Sequence, residues 1–108
     1  MALTLTEFRA GQAAPPRLSE KAFMAQVVQF AQLCGWLVYH TFDSRHSAAG
    51  FPDLLMVRGA VLAAVEIKNE DGKPTPAQRK WLWALAEAGA EVFVWKPSCW
   101  PSLERVLR

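Results

Sequence analysis

From Ser19 onward the apolar positions fall into two patterns, one recurring every three or four residues and one nearly continuous. Phe23, Val27, Phe30 (or Ala31) and Cys34 recur at helical spacing, which predicts a helix. Ser19 is placed to cap it, Glu20 brings a negative charge to the first turn where the helix dipole favours one, and Gly35 supplies the stop. Trp36 to Thr41 reads as a strand, and the polar stretch from Phe42 to Phe51 as a loop. Two short apolar runs then flank Gly59-Ala60, the pattern of a β-hairpin with a two-residue loop and glycine first. Both runs are almost continuously apolar, which predicts strands covered on both faces.

Asn69 to Lys73 reads as a turn. Thr75-Pro76-Ala77-Gln78 combines an N-cap, a proline at the first helical position and a glutamine in the capping-box place. The helix it opens runs through Trp81, Leu82 and Leu85 to Ala88, with Gly89 as its stop. Glu91 to Lys96 reads as a strand and Trp100 to Leu107 as a short helix. The order α, β, β, β, α, β, α predicts an α/β fold in which helices flank a mixed four-stranded sheet. Met1 to Arg17 lack a sustained period and end in Ala13-Ala14-Pro15-Pro16, so they read as a flexible arm before a domain over residues 18–108.

The hairpin carries the chemistry. If Arg58 pairs with Val61, counting back along both strands sets Asp53 opposite Glu66. Two carboxylates facing each other across a ladder repel, which costs stability unless a positive charge sits between them. Lys68 falls on the same face as Glu66, while Ile67 points the other way. Two acids and an amine therefore meet at one spot. Such a pair of hard oxygen donors suits Mg²⁺ or Mn²⁺, ions that polarise a phosphoryl oxygen and acidify a bound water. A lysine beside them can stabilise charge developing on the phosphate or help to orient and deprotonate the water. Singly, Lys68 would read as a solvated strand-end lysine and Asp53 as a turn residue after Pro52. Their placement on facing strands, with apolar residues all around, favours the functional reading.

Composition changes this picture little. A chain of 108 residues is one domain with a limited core, to be packed efficiently or supplemented by a partner chain. With 52% apolar and 20% charged residues it is globular, and a net charge of +2 is too small to argue for nucleic acid by itself. Cys34 and Cys99 fit no metal-binding spacing and read as reduced thiols of an intracellular, cytoplasmic protein. No stretch approaches a membrane span, and the first residues lack the blocks of a signal peptide.

Pro52-Asp53 followed by Glu66-Ile67-Lys68 resembles the PD-(D/E)XK nuclease pattern, whose core has this α-β-β-β-α-β order. The chain resembles more specifically the VRR-NUC (virus-type replication-repair nuclease) family. The strings that carry the likeness are Gly35-Trp36, Tyr39-His40-Thr41, Asp43-Ser44-Arg45, Gly50-Phe51-Pro52-Asp53-Leu54, Thr75-Pro76-Ala77-Gln78 and Val94-Trp95-Lys96-Pro97. The likeness extends from about Leu18 to the C-terminus and implies a restriction-endonuclease-like fold. It implies a structure-selective DNA endonuclease using divalent metal, and small stand-alone members, often phage-encoded, that act as homodimers on branched DNA such as Holliday junctions. Replication or repair proteins would be further partners. Carried over, Asp53 and Glu66 would ligate metal with the backbone carbonyl of Ile67, and Lys68 would act on the water or the phosphate. Glu20 matches the family's helix-borne acid, which completes the metal site directly or through water; otherwise it is a first-turn glutamate. Gln78 falls where the family places a glutamine near the active site, although a capping box accounts for it unaided. Two departures stand out: Cys99 occupies a place where related sequences carry an acid, and Ile67 replaces a more usual leucine.

Around this core, Arg45 is the best candidate phosphate contact in the polar loop, with Ser44 and Ser47 behind it. Lys73, Arg79 and Lys80 could extend a phosphate-binding edge, though each singly reads as an ordinary surface charge. His40 and His46 could form a zinc pair, but no second pair completes four ligands. Of the five tryptophans most are expected in the core or an interface, and Trp83, off the face shared by Trp81 and Leu85, would suit a homodimer contact. Two rival functions remain open: a flap or nicking endonuclease acting as a monomer, and a catalytically silent module that binds DNA structure. The intact Asp53, Glu66 and Lys68 argue against silence. Nothing in the chain points to base-specific readout, so recognition through backbone and shape is expected.

Overall fold

A computed structural model describes residues 18–41 and 47–108. The predicted N-terminal arm, and Asp43, Ser44, Arg45 and His46 of the polar loop, lie outside the described residues. The elements are α1 (Glu20–Leu33), β1 (Leu37–His40), β2 (Leu54–Arg58), β3 (Val61–Ile67), α2 (Pro76–Glu87), β4 (Glu91–Trp95) and, after a single 3₁₀ turn at Pro97–Cys99, α3 (Trp100–Leu107). The sheet order is β1-β2-β3-β4, antiparallel except for the last pair, which is parallel and joined by α2 as crossover. This is the predicted mixed sheet in an α/β fold.

The local signals work as the sequence requires. Ser19 accepts the Ala22 amide at 3.1 Å and caps α1. Thr75 caps α2 with a complete capping box. Arg58 pairs with Val61, and Gly59 sits at φ 59°, as a tight turn with glycine first demands.

On one face of the sheet, Leu54, Met56, Ala63, Val65 and Ile67 meet Phe23, Val27, Phe30 and Ala31 of α1 and Leu103 and Leu107 of α3. Both Phe30 and Ala31 are buried, and Phe30 also packs against Trp100 of α3 with ring centres 5.5 Å apart. On the other face α2 covers β3 and β4 only. The hairpin is therefore not covered on both faces throughout. Residues 63–67 of β3 are buried, but Val57, Val61 and Leu62 near the turn are exposed, as are Leu37 and Tyr39 on β1. One helix is too narrow to shield four strands, and nothing in an apolar run reveals which strands it reaches. Trp36 and Trp95 are core, Trp81 and Trp100 are half-buried, and Trp83 is 72% exposed.

Candidate nuclease site

One step beyond the Leu54–Val65 pair, the hairpin register brings Asp53 and Glu66 opposite each other. Asp53 is fixed by two neighbours. Its carboxylate accepts the Ile67 amide at 2.8 Å, and its carbonyl accepts the Thr41 amide at 3.0 Å, which ties the end of β1 to the start of β2. The preceding loop is pressed onto α2: Gly50, at φ 83°, lies so close that a Cβ there would come within 2.4 Å of the Ala77 carbonyl carbon. Only glycine fits that approach. Phe51 then packs edge-on against Trp81, with ring centres 5.0 Å apart.

Glu66 is the one buried charged residue among those described, 1% exposed. Its Oε1 accepts the Gln78 side-chain amide at 3.1 Å, while Oε2 is buried with no hydrogen-bond partner. Burial, above all, pushes its pKa up to about 9; the adjoining Asp53 carboxyl adds to this, Lys68 opposes it, and Glu20 contributes a little more. A buried acid oxygen without a donor costs stability unless something positive occupies the space before it. The donor set, two adjacent carboxyl groups at the rim of an open cavity, fits a small hard divalent cation that keeps several waters.

Gln78 does two things at once. Its Oε1 accepts the Thr75 amide at 2.8 Å, and its own amide donates to the Thr75 hydroxyl at 3.2 Å, closing the capping box. Its Nε2 is left to face Glu66. The cap does not compete with a place in the site; it is what aims the amide there.

A cavity of about 340 Å³ gathers Glu20, Lys21, Met24, Asp53, Glu66, Ile67, Lys68 and Gln78. A second, about 350 Å³, adjoins it through Asp53 and Gln78 and is lined by Thr41, Ser47 and the 48–51 backbone. Glu20, Asp53, Glu66, Ile67, Lys68, Gln78 and Ser47 are thus brought together. Lys80 faces a separate hollow with Ala49, Ala77 and Trp81, and Arg79 is exposed with its guanidinium on the Pro74 carbonyl. Lys73 is exposed at the start of α2. Arg45 and Ser44 lie outside the described residues. Among the described residues no three Asp, Glu, His or Cys side chains converge as a ready ligand set, so Glu20 shares the cavity without joining the carboxylate pair. The predicted His40–His46 pairing lies partly outside the described residues. Lys21 was not singled out from sequence, because its helical position beside Glu20 shows only once α1 is docked over the hairpin end.

Cys34 and Cys99 are both free thiols. No described helix is long and apolar enough to cross a membrane.

The model of the VRR-NUC domain family matches residues 14–98. A solved structure described as a VRR_NUC domain protein superimposes with a TM-score of 0.61 at 24% identity, covering 74% of this chain and 78% of that one, and supports the fold. No curated protein matches the chain. The family is one of nucleases of the PD-(D/E)XK type, which generally use divalent metals. The match spans the whole hairpin, both cavities and the crossover to β4, and on it the chain belongs to the VRR-NUC domain family.

Proposed function

We propose that this nuclease is a structure-selective endonuclease that hydrolyses phosphodiesters in branched DNA with Mg²⁺ or Mn²⁺, acting as a homodimer that resolves Holliday junctions. The observation that carries the reading is the Asp53–Glu66 pair at the open end of the hairpin, with Lys68 alongside and a buried Glu66 oxygen lacking a donor.

Asp53, Glu66 and the Ile67 carbonyl would hold the ion, and Glu20 would reach it through water. Bound there, the ion would neutralise charge on a phosphoryl oxygen and make a coordinated water more acidic. The chain's own groups do the rest. Gln78 holds the Glu66 carboxylate by Oε1, so the free oxygen keeps one direction. The Ile67 amide does the same for Asp53. Lys68, which lines the cavity on the strand end beyond Glu66, would stabilise the charge that builds up as water oxygen bonds to phosphorus and the phosphorus–ester oxygen bond breaks. The water's proton passes to solvent and the departing alkoxide is protonated from solvent. Ser47 borders the adjoining cavity and, with Ser44 and Arg45 of the same loop and with Lys73, Arg79 and Lys80, would contact the DNA backbone.

The homodimer is supported by unshielded apolar surface. Leu37, Tyr39, Val57 and Leu62 lie on the sheet face that α2 leaves open, and Trp83 protrudes from α2 itself. Such surface is common at interfaces. A two-fold assembly would set two sites against opposite strands of a junction. The test is cleavage of labelled four-way junction, flap and linear duplex in Mg²⁺ or Mn²⁺, together with solution mass. Symmetric nicks by a dimer support the reading; flap cutting by a monomer replaces it with the flap endonuclease, and junction binding without cutting replaces it with the silent module.

A further inference from the structure

The catalytic cavity does not end at α1. A second hollow of about 350 Å³ continues from it along the flank of α1 that overhangs the end of β1. Lys21 and Met24 line both. Further along come Ala25, Val28 and Gln29, with His40 from the strand. The fully buried core positions of α1 are Phe23, Val27, Phe30 and Ala31, whereas Met24 and Val28 on this flank are only partly buried against that core and keep an open side. The near end is fixed relative to the chemistry: His40 pairs with Leu54, and the next amide, of Thr41, bonds the Asp53 carbonyl.

The chemistry of the groove is specific. One cation stands at its junction with the catalytic cavity, the floor is apolar at Met24 and Val28, an amide side chain follows at Gln29, and no carboxylate lines it. Its volume lies within the range of about 300–1,000 Å³ typical of small-ligand sites. A nucleotide has the matching order of parts, an anionic phosphate followed by a flat apolar-faced base with polar edges. A base can enter only if it is not stacked in a duplex.

We propose that the α1–β1 groove receives the nucleotide next to the scissile phosphate in the cleaved strand, with Lys21 on its phosphate and its unstacked base against Met24 and Val28. The proposal rests on the nuclease reading and deepens it. It makes unpaired character beside the cut, rather than junction symmetry, a determinant of which DNA is chosen.

The test uses Lys21→Ala, Lys21→Arg and Ala25→Leu. Lys21 and Ala25 are exposed, and each replacement suits a helix, so folding is preserved. Branched substrates carry either a normal nucleotide or an abasic one beside the cut. Binding is followed by fluorescence anisotropy with Ca²⁺, and cleavage with Mg²⁺. Wild type should discriminate against the abasic substrate by roughly fivefold or more, in line with the worth of one stacked base. Ala25→Leu, which fills the groove, should erase that discrimination. Lys21→Ala should weaken binding and lower the slope of log affinity against log salt by about one, with Lys21→Arg restoring both. Wild-type discrimination and salt slope in Ala25→Leu and Lys21→Ala would overturn the proposal, as would a change of solution mass in Ala25→Leu, which would mark the groove as a contact between copies. If wild type cuts no substrate while the binding differences persist, the groove stands and the nuclease reading falls.

Discussion

The two ends of the β2–β3 hairpin each hold a charged side chain at the margin of the core, and they treat it in opposite ways. At the turn end Arg58 is fully engaged. Its guanidinium donates to the carbonyls of Cys34 and Leu107 at 2.9 and 2.8 Å and lies 4.5 Å from the centre of the Trp36 ring, whose own Nε1 donates to Leu107 at 2.9 Å. At the open end Glu66 is more deeply buried, yet one of its oxygens has no donor and its nearest charged neighbour has the same sign. The first arrangement lowers the energy of the folded chain by tying α1, β2 and α3 together. The second raises it, and persists because hairpin and core over-determine it. A satisfied charge marks structure; an unsatisfied one marks a place for a ligand.

The comparison can be broken most forcefully at the open end. Lys68→Ala and Asp53→Asn are each expected to reduce cleavage by on the order of 10²- to 10⁴-fold while leaving DNA binding and folding largely intact. Initial rates on a junction substrate, alongside anisotropy, check this; retained cutting in both would remove the site assignment. Arg58→Ala should do the reverse. It is expected to cost about 2–4 kcal/mol of stability in a denaturant titration, with cleavage at a permissive temperature near wild type.

The Glu66 carboxyl also sets a pH dependence. Its folded-state pKa lies near 9, above the unfolded value of 4.5. Between these the folded chain binds the extra proton, so metal-free stability should fall as pH rises through that window. Thermal melts with chelator from pH 5 to 9 should show the decline, Glu66→Gln should flatten it, and a rise in melting temperature across the range would contradict it. Asp53→Asn should stabilise the metal-free protein by up to about 1 kcal/mol, most at the alkaline end, because it removes the facing charge while an amide oxygen can still accept the Ile67 amide. The smallest effect belongs to Gln78→Ala. Loss of the capping-box side chain should cost about 0.5–1 kcal/mol and, through the loosened Glu66, lower kcat more than it alters KM.

What the sequence made legible was what local chemistry decides. Gly59 and Ala60 set a two-residue turn, the turn set the register, and the register brought Asp53 opposite Glu66 without any knowledge of the rest of the fold. The caps at Ser19 and Thr75 worked for the same reason, since both partners lie within three residues. The Gln78–Glu66 bond was not legible as geometry, because it depends on where α2 lands after the crossover to β4. Lys21 was missed for the same cause at α1. The cover expected on both hairpin faces failed at Val57, Val61 and Leu62, where an apolar strand reads identically whether a helix, a partner chain or solvent faces it.

The central claim is that the Asp53–Glu66 end of the hairpin is a metal-dependent cleavage centre. The most direct test is to incubate a labelled four-way junction with wild type and with Lys68→Ala, in Mg²⁺ or Mn²⁺ and in EDTA. The account predicts paired nicks by wild type with either metal, and none with chelator or with the variant. Cleavage that continues in EDTA, or that survives Lys68→Ala undiminished, would contradict it.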